Sequence, residues 1–369
     1  GDVLSSLAWD FVSGQLAEKE VEYVCTIRDL LIMLGPAYIK LGQALAARPD
    51  IFSSEAMEEL SQLYYAVPPF PTPKAIEIIE EELGANLSDL YTDFTSVPAA
   101  SASIGQVYKA REKVTGLPVA IKVQRPRVLL TVACDLFLIR RLCVALRVVP
   151  QIPIDLVKLV DEFAVTFFKE LDYVQEAQNA EYFAFTVKQL DRITVPKVYP
   201  SLTTRKVLTM DWVDGVHITA CKEAEMEEMV REGIRCYLTQ LLNTGFFHAD
   251  PHPGNLMRTS EGKLAIMDFG LMTVVNEEMK YTLLEAAVNL YHRNYPALVQ
   301  DMQALGFTSS RTEMRAMEGA IGAMMTELLT QEVDGTMSVT ADFATLMKQF
   351  ERLQREYGLV IPVSFVSLL

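Results

Sequence analysis

The sequence has little of what metal clusters, disulfide frameworks and membrane-spanning helices require. Of its 369 residues only five are cysteine and four are histidine, and no two cysteines have the spacing of zinc ligands. An odd number of widely separated cysteines fits no disulfide framework, which favours a reducing compartment. The most apolar stretch, residues 129–153, is interrupted by charged side chains, so its uncharged runs are shorter than the ~20 residues that a spanning helix needs. We therefore expect neither a transmembrane helix nor a signal peptide in this chain.

Basic residues are scarce relative to acidic ones. Lysine and arginine number 33 against 48 aspartate and glutamate residues, which gives a formal net charge of −15. A general nucleic-acid binder needs a broad basic surface to displace phosphate counterions, so the composition argues against a nucleic-acid partner. One segment differs, because residues 122–147 hold six basic residues and one acidic residue, a local charge of +5. A solvated face explains most such runs, and an anionic membrane surface is the alternative.

The apolar content indicates a folded chain. Half of the residues are apolar and 22% are charged, which excludes a disordered or fibrous protein. The length is about twice that of an average domain and predicts one two-lobed unit or two modest domains. Because the chain starts at Gly1 rather than Met and stops in an apolar run, we expect further segments beyond both ends.

Apolar periodicity predicts mostly helix, interrupted by one β-rich region. In the first hundred residues the spacing is helical, with a new helix starting at Gly35-Pro36 and another ending at Gly84. A hairpin is predicted over residues 99–123, followed by helices to residue 181. Further along the chain we expect strands at 195–199, 206–212 and 264–267, a helix at 223–244 closed by Gly245, and helices from 276 onward.

Polar residues in the segment 248–270 have the spacing of a phosphoryl-transfer site. Asn255 follows Asp250 by five positions, and Asp268 follows Asn255 by thirteen. Amide and carboxylate oxygens at the ends of adjacent strands suit Mg²⁺, and Asp250 could then orient the attacking oxygen. Upstream, the apolar run 119–121 leads to Lys122, which would contact nucleotide phosphates and an acidic residue on the next helix. Each motif alone is weak, whereas their order and spacing together are specific.

Together these motifs resemble the protein-kinase-like superfamily, and specifically the aarF/UbiB-type (ADCK-like) atypical kinases. Lys40-Leu41-Gly42-Gln43, followed by Arg48-Pro49-Asp50, is similar to that family's N-terminal KxGQ motif. Residues 99–107 are similar to its alanine-rich loop, which stands where kinases carry a glycine-rich one. Glu170-Leu171-Asp172, with Glu176 after it, resembles the family's ExD segment and helix glutamate. The resemblance covers residues 30–270. The sequence of residues 248–273 is most similar to that of plastid and cyanobacterial members.

The resemblance implies a fold and a division of the chain. We expect an α+β, bilobal protein-kinase-like fold with an N-terminal helical extension and a mainly helical C-lobe. Residues 1–97 would form the extension with the KxGQ-like motif, and residues 98–213 the kinase-like N-lobe with inserted helices. Residues 214–369 would form the helical C-lobe with the catalytic and metal-binding loops.

The catalytic and metal-binding roles follow by matching residues to the family. Asp250 would be the base or water-orienting group, and Lys122 would contact the α/β-phosphates and pair with a glutamate. Glu176 is the expected partner, and Glu170, six positions away on another helical face, is the alternative. Asn255 and Asp268 would bind Mg²⁺.

The resemblance also implies nucleotide-binding and regulatory residues. ATP or ADP would be held by loop backbone N–H groups, by neighbouring strand residues and by the adenine edge, namely Ala100, Ser101, Ala102, Ser103, Ile104, Gly105, Val107, Ala120, Lys122, Met210, Asp211, Val213 and Asn255. The N-terminal extension would fold over the active site and act as a regulatory element, with residues Lys40, Gln43, Glu170 and Asp172.

Two departures from ordinary kinases bear on the substrate. Ala249 replaces the arginine that many kinases use to read a phosphorylated activation loop, and no Ala-Pro-Glu motif follows Gly270. Both argue against protein phosphorylation. The resemblance instead implies ATP hydrolysis, or phosphoryl transfer to a small or lipid-related acceptor, in support of isoprenoid-quinone (prenyl-lipid) metabolism at a membrane. A catalytically weak pseudokinase that acts as a nucleotide-gated lipid- or protein-binding module is the alternative.

The implied partners and location follow from the same resemblance. Partners would be an adenine nucleotide, prenyl-lipid or quinone precursors, a membrane surface and quinone-biosynthesis enzymes. The favoured location is the plastid, at plastoglobules or thylakoids, and the alternatives are a cyanobacterial membrane or the mitochondrion.

Overall fold

The computed structural model describes residues 19–46, 53–64, 67–146, 156–249, 253–308, 314–331 and 337–339, with 352–353, 356–357 and 359. The predicted base Asp250 and the Arg48-Pro49-Asp50 part of the N-terminal motif lie outside the described residues. Contacts divide the chain into two units, Gly1–Tyr237 with Pro251–Met272, and Leu238–Asp250 with Thr273–Leu369. The predicted three-part division into 1–97, 98–213 and 214–369 differs from these units and stays a prediction.

The first unit begins with a small helical cluster. Helix α1 (Glu20–Leu34) ends at Gly35, which has a φ of 110°, and α2 (Pro36–Ala46) starts at a proline whose ring already has a helical φ. The side chain of Ser53 caps α3 (Ser54–Ser61), which runs into a 3₁₀ turn, Gln62–Tyr64. The helix border expected at Gly35-Pro36 is confirmed. The helices pack around a shared apolar core of Val24, Ile39, Ala46, Ala56, Leu60, Leu63 and Val67.

An antiparallel sheet follows, with helices inserted between its last strands. In chain order the elements are α4 (Thr72–Leu83), α5 (Leu87–Leu90), β1 (Tyr91–Thr92), β2 (Ala100–Ser101), β3 (Gly105–Glu112), β4 (Pro118–Gln124), α6 (Val128–Leu146), α7 (Leu156–Glu170), α8 (Tyr173–Thr186), β5 (Ile193–Thr194) and β6 (Val207–Asp211). The sheet order is β1-β3-β4-β6, and β2 also pairs with β3. The hairpin expected over residues 99–123 is therefore confirmed. One face of the sheet packs on α4 through Ala75 and Ile79.

The remaining elements contain a second small sheet and several helices. They are β7 (Gly215–His217), α9 (Glu223–Thr239), β8 (Phe246–His248), β9 (Leu256–Thr259), β10 (Leu264–Ile266), β11 (Met272–Val274), α10 (Glu277–Tyr291), α11 (Tyr295–Ala304), α12 (Met314–Leu328), β12 (Leu329–Gln331) and β13 (Met337–Val339). The order of the second sheet is β5-β10-β9-β7. In the second unit, α11 and α12 pack through Val299, Met317 and Ile321. Of the helices described, none is both long and apolar enough to cross a membrane.

One local expectation is wrong. Residues 195–199 do not form a strand but make one isolated bridge, Val198 to Met210. Pro196 and Pro200 flank this bridge and have no N–H to extend a ladder. The helix expected at 223–244 is confirmed with its closing residue: α9 ends at Thr239, Gln240–Thr244 continue it as one wider π-type turn, and Gly245 closes it in the left-handed conformation.

Candidate functional site

The ammonium group of Lys122 lies between two carboxylates. From β4 its Nζ donates to Glu176 Oε1 at 2.8 Å and Oε2 at 3.0 Å, and to Asp268 Oδ2 at 2.9 Å. The Glu176 side chain is 1% exposed and that of Lys122 13%, whereas Asp268 is 36% exposed. Lys122 and Glu176 are therefore a buried pair, in which each charge depends on the other. Asp268 extends this pair toward solvent.

The protonation of this cluster follows from burial and mutual attraction. Burial raises the pKa of Glu176 to about 7, an effect that Lys122 opposes and Asp268 reinforces. Burial alone would lower the pKa of Lys122, but the attraction of Asp268 and Glu176 outweighs it and raises that pKa well above its usual value. Lys122 is therefore charged at neutral pH and suited to bind an anion.

A helix break separates the two glutamates that the sequence offered as partners for Lys122. Helix α7 ends at Glu170, and Asp172 caps α8 by accepting from the backbone N–H groups of Val174 and Gln175 at 3.1 and 3.2 Å. Glu176 is in the first turn of α8 and contacts Lys122. Glu170 lies 2.9 Å from Lys40 Nζ instead, so each glutamate has its own lysine.

The N-terminal motif residues lie on α2, packed against α1 and the 3₁₀ turn. Lys40 and Glu170 are both largely buried, with side-chain exposures of 18% and 9%. Gln43 is buried, and its Nε2 donates to the carbonyl of Leu63 at 3.0 Å. A Cβ on Gly42 would approach Leu31 Cδ1 to 2.7 Å and Leu63 Cδ1 still more closely. Glycine at this position therefore permits the close packing that brings Lys40 to Glu170.

Asn255 and Asp268 come from neighbouring strand ends. Asn255 precedes β9, Asp268 follows β10, and the N–H of Met267 donates to the carbonyl of Asn255 at 3.0 Å, which continues the ladder. Asp268 Oδ1 accepts from Gly270 N at 2.9 Å, which fixes the carboxylate. An amide and a carboxylate at such an edge are a donor set that fits Mg²⁺. No group of three or more His, Cys, Asp or Glu side chains in the described ranges could hold a metal, so phosphate oxygens and water would have to complete the shell.

The alanine-rich segment forms a tight hairpin next to Lys122. Ala100 is opposite Val107, and Ala102 N donates to Gly105 O at 2.8 Å. In the turn, Ser103, Ile104 and Gly105 are buried, while Ser101 is half-buried. Val107 is opposite Lys122 in the β3–β4 ladder, and cross-strand partners share a face of the sheet. The hairpin therefore leads directly onto the face that carries Lys122.

The predicted adenine-edge residues lie at the end of β6. Met210 is buried and is opposite Ala120 in the β4–β6 ladder. Ala120 is two residues before Lys122, so both point to the same face. Asp211 Oδ1 accepts from the hydroxyl of Tyr199 at 2.8 Å, and Val213 is half-buried two residues further on. Ala120, Lys122, Val107 and Met210 thus share one face.

Three residues near this cluster were not singled out from the sequence. Asn179 Nδ2 donates to the carbonyl of Phe269 at 2.9 Å and ties α8 to the segment of Asp268. Tyr173 lies under Lys122, whose Nζ is 5.0 Å from the ring centroid, and Arg125 follows β4. Tyr173 directly follows the ExD-like segment, and Asn179 is three residues after the helix glutamate Glu176. This closeness to the family motif was the sequence signal that could have identified both residues. Arg125 belongs to the basic segment 122–147, which did not single it out.

A family comparison agrees with this geometry. Residues 62–302 match the model of the ABC1 atypical kinase-like domain, which is more than half of the chain. The chain therefore belongs to the ABC1 (aarF/UbiB) family of atypical kinase-like proteins, and its α+β fold is kinase-like. The resemblance identified from the sequence motifs is confirmed.

Individual relatives come from cyanobacteria, plants and mycobacteria. The uncharacterized protein sll0005 of Synechocystis sp. is 39% identical over 96% of this chain and 53% of its own length. Protein ACTIVITY OF BC1 COMPLEX KINASE 3, chloroplastic, of Arabidopsis thaliana is 36% identical over 100% of this chain and 52% of its own. The chain thus spans about half the length of these curated relatives. A solved Rv3197–erythromycin complex from Mycobacterium tuberculosis is similar with a TM-score of 0.54 and 26% identity, over 96% of this chain and 100% of that one.

Proposed function

We propose that the chain binds ATP or ADP with Mg²⁺ and turns over ATP, by hydrolysis or by phosphoryl transfer to a small or lipid-related acceptor. The observation that carries this proposal is Lys122, which is largely buried and bridges Glu176 and Asp268 within 3 Å. A charged lysine held by one buried carboxylate, beside a second and more exposed one, is suited to binding phosphate oxygens near a metal ion. Membership of a kinase-like family supports it.

Each residue would have a distinct role at this site. Asn255 and Asp268 would hold Mg²⁺, which when bound neutralises phosphate charge. Lys122 would orient the α/β-phosphates, and Glu176 would keep the lysine in position. Asp250, outside the described residues, stays the predicted base or water-orienting group. The remaining predicted contacts would come from the hairpin residues 100–105, from the shared sheet face and from the adenine edge at Asp211 and Val213.

Mg²⁺-dependent ATP turnover by the wild type and by Asp268→Asn tests the proposal. Asparagine keeps the size of Asp268 but removes the charge, so we expect turnover to fall by about 10²-fold or more, as when a preorganised electrostatic group is lost. Lys206→Met is the matched control, because Lys206 forms an exposed pair with Glu82 in the same unit. Equal rates for wild type and Asp268→Asn would exclude the proposed ATP turnover at this site. The absence of turnover even with membranes present would also exclude it.

The surface of α6 favours action at a membrane. Its exposed side chains include Leu130, Phe137, Leu138 and Leu142, each more than half exposed. Arg141 lies over the ring of Phe137 at 5.2 Å from the centroid, which places a cation next to this apolar surface. Apolar side chains combined with basic ones suit the interface of an anionic bilayer. We propose that the acceptor is prenyl-lipid related, that quinone-biosynthesis enzymes are partners, and that the location is the plastid, as the name of the Arabidopsis relative states for that protein.

Vesicle binding tests the membrane part separately. The wild type should sediment with anionic vesicles more than with neutral ones, and Phe137→Ser with Leu142→Ser should remove that difference. A matched change on another exposed apolar residue of unit 1, Phe185→Ser, should leave it intact. Equal vesicle binding by all variants would refute membrane binding through α6. It would leave the nucleotide proposal unaffected.

A binding module is the second candidate. The similar mycobacterial protein was solved as a complex with erythromycin, a ligand unlike a kinase substrate. In this alternative the chain uses nucleotide only to change its affinity for a lipid or a protein. By linkage it predicts a nucleotide affinity that changes when the lipid or protein is bound. It also predicts that nucleotide binding is not followed by turnover, which the same ATP assay would reveal.

A further inference from the structure

A proline-rich connector, residues 67–71, joins the N-terminal helices to α4. Its sequence Val-Pro-Pro-Phe-Pro leaves Phe70 as the only residue between Val67 and Thr72 with a backbone N–H. Pro71 has a φ of −58° and a ψ of 128°, close to the values of polyproline II. Val67 is buried in the core of the N-terminal helices, and Thr72 begins α4. The connector is therefore a stiff segment that is fixed at both ends.

Gln106 joins the alanine-rich hairpin to this connector. Gln106 is opposite Val123 in the β3–β4 ladder, and Val123 follows Lys122, so Gln106 lies on the rear face of the sheet, opposite to the face of Lys122. The side chain of Gln106 is fully buried. Its Oε1 accepts from Phe70 N at 3.1 Å, and its Nε2 donates to Phe70 O at 3.2 Å. Gln106 thus takes the one N–H that the prolines leave in the connector.

Arg125 binds the connector and the hairpin together. Its guanidinium donates to Pro68 O at 2.7 Å, to Ser101 Oγ at 3.1 Å and to Ala102 O at 3.1 Å. Ser101 is opposite Gln106 in the β2–β3 ladder, so these contacts are also on the rear face. One forked side chain therefore fixes the position of the hairpin relative to the connector.

The bond to Ala102 decides where the next N–H of the hairpin points. The carbonyl of Ala102 and the N–H of Ser103 belong to one planar trans peptide, in which they point in opposite directions. Since the carbonyl points to Arg125, the Ser103 N–H points away from Arg125. Ser103 is buried, and within the described part of the chain its N–H has no acceptor. Buried N–H groups nearly always have a partner, so this one is a donor that a ligand can use.

We propose that Arg125 and Gln106 are positioning residues of the nucleotide site, a role that rests on the function proposed above. From the rear face they hold the hairpin on the stiff connector, so that the Ser103 N–H is presented to phosphate oxygens of a nucleoside di- or triphosphate. Neither side chain touches the ligand. A loop that is already fixed loses little freedom on binding, so the two residues contribute to affinity for the phosphates and not for the base.

Calorimetry with adenosine, ADP and ATP, each with Mg²⁺, tests this role. In Arg125→Met and in Gln106→Met we expect the affinity for ATP to fall by about 10-fold, as for a lost hydrogen bond to a charged group, and that for adenosine to stay unchanged. Arg125→Lys keeps the charge but not the fork of donors, so it should behave like Arg125→Met.

Arg111→Met is the matched control for charge. It removes the same charge at the other end of β3, where the guanidinium of Arg111 donates to Gly116 O at 3.0 Å. Because this contact is remote from the alanine-rich hairpin, the ratio of ATP to adenosine affinity should equal that of the wild type.

Hydrogen exchange at Phe70 gives a second readout, on the wild type itself. Because its neighbours are prolines, exchange within residues 68–71 reports this one N–H. If the bond from Phe70 to Gln106 raises the affinity for ATP, bound ATP must by linkage stabilise that bond. We expect ATP, but not adenosine, to slow the exchange in the wild type, and neither ligand to slow it in Gln106→Met.

The outcomes separate this role from the nucleotide proposal. An ATP affinity that is unchanged in Arg125→Met and Gln106→Met, or restored by Arg125→Lys, would overturn the positioning role, as would equal weakening of ATP and adenosine. Equal exchange at Phe70 with ATP and with adenosine would also overturn it, and this measurement decides if the variants do not fold. If the wild type binds no nucleotide, the proposed function fails, and the positioning role fails with it.

Discussion

Replacing Lys122 by methionine removes the cation from a buried cluster while keeping most of the side-chain volume. Glu176, at 1% exposure, would lose the ammonium group 2.8 Å away, and Asp268 would lose it at 2.9 Å. Removing one partner of a buried ion pair typically costs about 3–5 kcal/mol, because the remaining charge has neither water nor a counterion. We therefore expect Lys122→Met to destabilise the first unit by an amount in this range at pH 8.

The same penalty should be smaller in acid. Glu176 in the folded chain has a pKa of about 7 against an ordinary 4.5, so between these values the folded state binds more protons than the unfolded state. The contribution of Glu176 to wild-type stability therefore falls as the pH rises through this window. Without Lys122, the attraction that opposes the rise in the pKa of Glu176 is lost, so its carboxyl takes up a proton at a higher pH than in the wild type. At pH 5.5 the carboxyl is largely protonated in both proteins, so the penalty of Lys122→Met should be smaller there than at pH 8.

Urea unfolding at pH 8 and pH 5.5, followed by circular dichroism, measures both effects. Lys206→Met is the control, because its pair with Glu82 has the same chemistry but Lys206 is 53% exposed. An exposed pair should contribute about 0–1 kcal/mol at either pH. The reasoning is refuted if Lys122→Met costs no more than Lys206→Met, or if its penalty at pH 5.5 equals that at pH 8.

Two further predictions concern stability. Gly42→Ala should lower the melting temperature, because the new methyl would overpack two leucine side chains at a cost of about 1–3 kcal/mol. Gly233→Ala should raise the melting temperature by the equivalent of about 1 kcal/mol of helix propensity, since its methyl would meet only Leu264 at 3.7 Å. Thermal unfolding of both variants measures this, and shifts of the same sign would contradict it. Asp172→Ala should cost about 1 kcal/mol by uncapping α8, and Asp172→Asn, which can still accept the N–H bonds, should restore most of it in the same measurement.

Local chemistry accounts for the parts of the fold that the sequence predicted well. Pro36 starts α2, and Gly84, with a φ of 66°, ends α4, because one residue type decides the backbone conformation at each place. Asn276 likewise caps α10. The hairpin of β3 and β4 joins two neighbouring runs of suitable residues. In each case the determining residues are within a few positions of the feature.

Longer-range contacts decided what the sequence left open. Residues 195–199 have a strand-like composition, but whether they pair depends on the neighbouring strand and on two prolines. The family motifs gave Glu176 as the expected partner of Lys122, with Glu170 as the alternative, and assigned no acid to Lys40. The contact of Tyr173 with Lys122 could not be predicted from the sequence, because it depends on the residues that surround the tyrosine and not on its residue type.

The break between α7 and α8 explains how Glu170 and Glu176 acquire different partners. On one continuous helix, residues six apart point in directions about 120° apart at 100° per residue, so the two would lie on different faces of the helix. Ending α7 at Glu170 and restarting at Tyr173 frees the second helix to turn Glu176 toward Lys122, while Glu170 meets Lys40. Since Asp172 holds the first turn of α8, it sets the position of Glu176 although it touches neither lysine. The ExD-like segment is therefore a junction in which one residue of the motif pairs with the N-terminal helices and the other positions the glutamate that holds Lys122.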